Sequence, residues 1–92
     1  MLPSFDRIML PLLKFAADGE NHTTHQAIPT LRMVFGLSEA DIALTLKQSA
    51  TLEIVNRIAW ARVWLGKAGL IETVERKSFR ITEKGRDLLA RN

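Results

Sequence analysis

The chain contains no cysteine. That excludes disulfide bridges, thiolate nucleophiles and thiolate metal ligands together. It also lacks any run of the ~20 apolar residues needed to span a bilayer. Lys14, Arg32, Arg57 and Arg62 interrupt the longest apolar stretches. The opening residues show neither the basic start nor the apolar stretch of a secretory signal. A soluble cytoplasmic protein with no membrane association is expected. No glycine-rich phosphate loop is present, and no serine or acid pair stands in an activating arrangement. Nothing matches the paired acids and following lysine that hold magnesium in a nuclease. No catalytic residue is therefore assigned, no cofactor is expected, and the chain by itself is not read as an enzyme.

His22 and His25 stand three apart near Asp18 and Glu20. Zinc ordinarily takes three or four ligands, so this pair is read as solvent-facing and no metal site is assigned.

What is present is ordinary for a folded chain: 92 residues, 47% hydrophobic and 25% charged. A chain of this length buries somewhat over ~60% of its unfolded surface, enough for one modest core. One domain over residues 1–92 is expected, without repeats or linkers. The charge is unevenly distributed. Residues 1–46 carry three basic and five acidic side chains, whereas residues 47–92 carry ten basic and five acidic. A basic second half suits a polyanion, although the same excess also serves as solubilising charge.

Hydrophobic spacing sets the expected elements. Phe5, Ile8, Met9, Leu12, Leu13 and Ala16 recur at helical intervals over residues 4–17, with Ser4 placed to cap. Thr23 or Thr24 is placed to cap a second helix ending at Phe35, with Ala27, Leu31, Val34 and Phe35 inward. Pro29 costs ~3 kcal/mol inside a helix but little in its first turn, so the helix proper starts near Ala27 or Ile28. Ser38 and Asp41 form a variant capping box opening a short helix to about Leu46, which buries Ile42 and Leu46. Residues 47–51 read as a turn and residues 52–68 as a long helix stopped by Gly69. Alternation then replaces helical spacing: residues 70–74 and 78–81 form a hairpin, and Thr82 caps a final helix. The fold class is mainly α with a small β-hairpin, in the element order of a winged helix-turn-helix.

In such a fold the second helix of the turn enters the major groove, the groove that displays a distinct pattern for each base pair. Asn56, Arg57 and Arg62 are the candidate contacts on the long helix. Lys47, Ser49 and Thr51 in the turn are placed for phosphates, which fix register without reading sequence. Arg76 and Lys77 at the hairpin tip, with Arg80 behind them, are the remaining candidates. Arg57 has an equal claim to a structural role, its stem along apolar surface and its head paired to an acid. On the long helix, Ile54, Ile58, Ala61, Leu65 and Ala68 form a core stripe, while Val55, Ala59, Trp60 and Val63 fall outside it. Another element, such as the first helix, or a second subunit is therefore expected to cover that helix.

The run Asn56-Arg57-Ile58-Ala59-Trp60-Ala61, the Ala68-Gly69-Leu70 triplet and Thr82-Glu83-Lys84-Gly85 before the last helix resemble the N-terminal domain of Mrr-type restriction endonucleases. The opening Pro3-Ser4-Phe5-Asp6 and Leu10-Pro11-Leu12-Leu13 fit the same pattern, and the resemblance covers essentially the whole chain. It implies a winged-helix DNA-binding module joined to a separate C-terminal nuclease domain that acts on DNA with methylated bases. Members of the family often turn the wing on arginine-glycine. Here Arg76-Lys77-Ser78 lacks glycine, so a wider tip is expected. The leading expectation is the targeting module of a restriction system, with double-stranded, methylated DNA as partner. A protein-interaction or homodimerisation domain and a free-standing transcriptional regulator are the alternatives.

Overall fold

In the computed structural model, which describes residues 2–47, 49–75 and 77–91, apolar spacing sets the helices and local caps set most of their ends. Helix α1 (Phe5–Phe15) buries Ile8, Leu12 and Leu13 on one face. Ser4 occupies its N-cap position in extended conformation, but its side chain makes no capping bond. Pro11 lies inside α1, where it forgoes one backbone hydrogen bond. A 3₁₀ turn (Ala16–Asp18) follows, then a two-residue strand β1 (His22–Thr23).

This strand departs from the expected helix start. A 3₁₀ turn (His25–Ala27) follows with Thr24 at its N-cap position, whose side chain makes no capping bond; Thr23, one residue earlier, bonds to Gln26 instead. The Gln26 amide donates to the Thr23 hydroxyl at 3.3 Å, and the Thr23 amide donates to Gln26 Oε1 at 2.9 Å. Two otherwise orphaned donors are thereby satisfied reciprocally, as in a capping box. Helix α2 (Ile28–Phe35) begins where the proline argument placed it, with Pro29 in its first turn. Ala27 and Leu31 are fully buried, but Val34 is 56% exposed. Among the described elements only α1 packs extensively on α2 from another part of the fold. The flank carrying Met33 and Val34 is left uncovered.

Ser38 and Asp41 form the anticipated capping box for α3 (Glu39–Ala43). The helix stops three residues short of Leu46, and neither Ile42 nor Leu46 is fully buried. From Leu44 the backbone is extended and pairs with the chain entering the next helix. Thr45 bridges Leu52, the Leu46 amide donates to the Thr51 carbonyl at 2.9 Å, and the Glu53 amide donates to the Leu44 carbonyl at 2.8 Å. A cross-chain ladder thus takes the place of the last helical turn.

Helix α4 (Glu53–Lys67) buries Ile54, Ile58, Ala61 and Leu65, while Ala68 beyond its end is exposed. Its most extensive helix–helix packing is with α1, but the expected cover is incomplete: Val55 is half-buried, whereas Ala59, Trp60 and Val63 outside the core stripe remain exposed. Gly69, at φ 76°, ends the helix in the left-handed region that glycine enters without a Cβ penalty.

Strands β2 (Ile71–Glu75) and β3 (Ser78–Ile81) form the hairpin. β1 adds antiparallel to β3, giving a three-stranded sheet in the order β1-β3-β2. Strand pairing extends to Glu75 opposite Ser78, with a register shift between Thr73 and Glu75; the expectation of a wider tip falls on Arg76, which lies outside the described residues. Phe79 and Ile81 point into the core and Arg80 outward. Helix α5 (Glu83–Arg91) closes the fold. The core therefore joins α1, α2 and α4 to the inner face of the sheet. The element order and the hairpin beside α4 are those of a winged helix-turn-helix.

Candidate nucleic-acid interface

The loop between α3 and α4 is pinned at its base by the Thr45–Leu52 bridge and presents Lys47, Ser49 and Thr51 to solvent. The Thr51 amide donates to the Ser49 hydroxyl at 3.1 Å, so part of this loop's hydrogen bonding is internal. Asn56, one turn into α4, is half-buried.

The two arginines of α4 are held differently. One Arg57 nitrogen donates to the carbonyls of Leu2 and Pro3 at 2.8 and 3.0 Å, and the other meets Glu53 at 2.8 Å. Its guanidinium fastens the N-terminal segment to α4 and is balanced by a carboxylate. Arg62 lies half-buried with its guanidinium 4.7 Å from the centre of the Phe79 ring, and it donates to the Thr24 hydroxyl at 2.9 Å. Among the described residues no carboxylate comes within ion-pair distance of it. Burial holds its pKa below the ordinary arginine value, yet arginine remains charged at neutral pH.

On the hairpin, Arg80 is half-exposed and paired to Glu72 at 2.6 Å, while Lys77 is exposed. Arg76 lies outside the described residues. Lys77, Arg62 and Val55 line a cleft of about 340 Å³ together with Thr23, Thr24 and His25. The sheet and α4 thus bring a wing residue and a helix residue to one opening. Its third wall, the turn after β1, had no assigned role in the sequence reading. The Thr23-x-x-Gln26 capping pattern was the available signal that this turn is a fixed element.

The outward side of α4 is apolar. Trp60, Val63 and Trp64 are 52%, 44% and 45% exposed. Phe5 stacks on Trp64 at 6.3 Å between centroids, and the Lys67 ammonium lies 5.1 Å from the same indole.

His22 and His25 do not converge. His22 packs against Phe15 and meets Asp18 at 2.8 Å, whereas His25 is exposed at the cleft. Among the described residues no group of three or more potential ligands could hold a metal, and no helix is long and apolar enough to cross a membrane. The His22 ring and, next, the Glu20 amide hold the Asp18 carboxyl below its ordinary pKa of 3.8. A lowered folded-state pKa stabilises above the unfolded value, and that contribution disappears as pH falls through the folded value. Urea midpoints of the wild type should therefore drop more steeply below about pH 4 than those of Asp18→Asn. Parallel acid limbs would assign the acid sensitivity to other carboxyls.

The Ala-Gly-Leu and Thr-x-x-Gly residues meet in space. The Thr82 hydroxyl donates to the Gly69 carbonyl at 2.6 Å and accepts from the Gly85 amide at 3.1 Å, while the Thr82 amide donates to the Leu70 carbonyl at 3.0 Å. These residues lock the end of α4 to the start of α5. No curated protein and no solved structure matches the chain. The family model described as the Mrr N-terminal domain matches residues 5–91, and the chain belongs to that family.

Proposed function

We propose that this domain binds double-stranded DNA and serves as the targeting module of a Mrr-like restriction protein. In this reading α4 is presented to the major groove and the β2–β3 hairpin lies beside it. A separate nuclease domain would cut the DNA, with methylated duplex as the preferred target. The observation that carries the proposal is the cleft shared by Arg62 of α4 and Lys77 of the hairpin. Both elements that a winged helix offers to a duplex contribute a cation there that no carboxylate among the described residues neutralises. Arg57 and Arg80, each paired to an acid, act in this reading mainly to hold the domain's shape. Lys47, Ser49 and Thr51 supply phosphate contacts from the preceding loop.

Fluorescence anisotropy with methylated and unmethylated duplexes over a salt series tests the reading. Binding should weaken linearly on a log–log salt plot, and Arg76→Ala/Lys77→Ala should reduce the slope by about two. Absence of binding at ~50 mM salt, where backbone attraction is strong, would end it.

The exposed Trp60, Val63 and Trp64 favour a second reading, in which α4 meets a second copy of the chain or another protein. Sedimentation at several concentrations separates the two. A monomer that shifts duplex DNA would exclude the second.

A further inference from the structure

We propose that the cleft between the turn after β1, helix α4 and the hairpin tip is a seat for one backbone phosphate of the bound strand. Arg62 is its charged floor, Thr24 is the residue that positions that arginine, and His25 and Lys77 form its rim. The inference rests on the DNA-binding reading and adds to it a specific ligand group and two residues, Thr24 and His25.

The domain balances its other interior-facing arginine. Arg57 has Glu53, and on the hairpin Arg80 has Glu72. Arg62 is half-buried, as Arg57 is, but its partners are neutral: the Thr24 hydroxyl and the face of Phe79. Withdrawing a guanidinium from water without a counter-charge is costly. The cost is recovered when an anion arrives. A guanidinium has five N–H donors, and among the described residues Arg62 uses one of them on protein, leaving donors for a planar, two-point grip on phosphate oxygens. The cation–π contact with Phe79 and the Thr24 bond restrain the guanidinium in advance, so less side-chain freedom remains to be lost on binding. Lys77 adds a second positive charge at the opening, and Thr23, Thr24 and His25 add polar groups. Val55 closes one wall. Among the described residues the cleft has no acidic lining. Its volume of about 340 Å³ accommodates a phosphodiester with its flanking sugar atoms but is far too small for a duplex.

A phosphate contact sets register and carries no base information. Arg62→Gln should therefore weaken binding to every duplex by about tenfold and lower the salt slope by about one, with the ratio of methylated to unmethylated affinity unchanged. His25→Ala and Lys77→Ala alter exposed side chains, and each should weaken binding without changing the thermal midpoint. Thr24→Val should weaken binding although no charge is removed, and Thr24→Ser should restore it. A set of duplexes carrying one neutral methylphosphonate each locates the contact. Wild type should lose affinity at one additional position that Arg62→Gln ignores.

If wild type binds DNA but Arg62→Gln retains its slope and its methylphosphonate profile, the seat is wrong and the DNA-binding reading survives. If wild type binds no duplex at low salt, both fall. Inorganic phosphate substituted for chloride at equal ionic strength should displace no more DNA than chloride does. Strong displacement would reassign the cleft to free phosphate and overturn the proposal.

Discussion

Replacing Phe79 with alanine should destabilise the domain by about 4 kcal/mol, within the range for truncating a fully buried aromatic side chain. Phe79 has no exposed surface and is the largest fully buried side chain among the described residues. It sits on the central strand, opposite His22 of β1 and Thr73 of β2, with the His22 ring 6.4 Å away between centroids. Deleting it removes the ring's own burial and leaves a cavity where three strands and α4 meet. Small domains are stable by only about 5–15 kcal/mol, so the loss is a large fraction of the total. Urea denaturation followed by circular dichroism measures it. Phe79→Leu should cost less, about 1–2 kcal/mol, because most of the volume is kept. A loss below about 1 kcal/mol for the alanine variant would show that the sheet does not pack on the helices as described. The same variant removes the ring beneath Arg62, so under the DNA-binding proposal duplex affinity should fall even under conditions where it remains folded.

Gly85→Ala should destabilise the protein by about 2 kcal/mol, opposite in sign to the rule for helix interiors. Exchanging glycine for alanine within a helix ordinarily gains up to about 1 kcal/mol. Here a Cβ would lie far inside contact distance of the Leu70 carbonyl oxygen and 2.7 Å from Ile81 Cγ1. The carbonyl has little freedom to retreat, because it accepts the Thr82 amide at 3.0 Å while the neighbouring Gly69 carbonyl accepts the Thr82 hydroxyl at 2.6 Å. Overpacking of this kind costs about 1–3 kcal/mol, and backbone on one side places it at the upper end. A stabilised alanine variant in thermal or urea unfolding would mean that α5 docks elsewhere. The clash also accounts for a pattern visible in the sequence, the glycine three residues after Thr82. Threonine caps the helix, and the next turn lies too close to the end of α4 to carry a side chain.

Much of the fold was legible because backbone geometry imposes its own periods. The three- and four-residue spacing of Ile8, Leu12, Leu13, Ile54, Ile58, Ala61 and Leu65 places them in the core whatever the neighbours are. Ser38, Gly69, Pro29 and Thr82 act within a turn of their own positions, and each stands where its local chemistry put it. Strand β1 was not legible. Two residues carry no period, and His22–Thr23 is a strand only because Phe79 and Ser78 lie alongside. The end of α3 was likewise set by a partner, the chain at residues 51–53.

Among the candidate contacts, the types of residue were evident from the sequence and their commitments were not. Composition and order indicated a mainly helical fold with a basic second half and a hairpin after its longest helix. The tertiary structure decided which cations are already engaged. Arg57 reaches Leu2 and Pro3 more than fifty residues away, and Arg62 reaches Thr24 thirty-eight residues away. Periodicity arises from bonds between near neighbours and can be read along the chain. The partner of a long, flexible side chain depends on which distant segments the core brings within its reach.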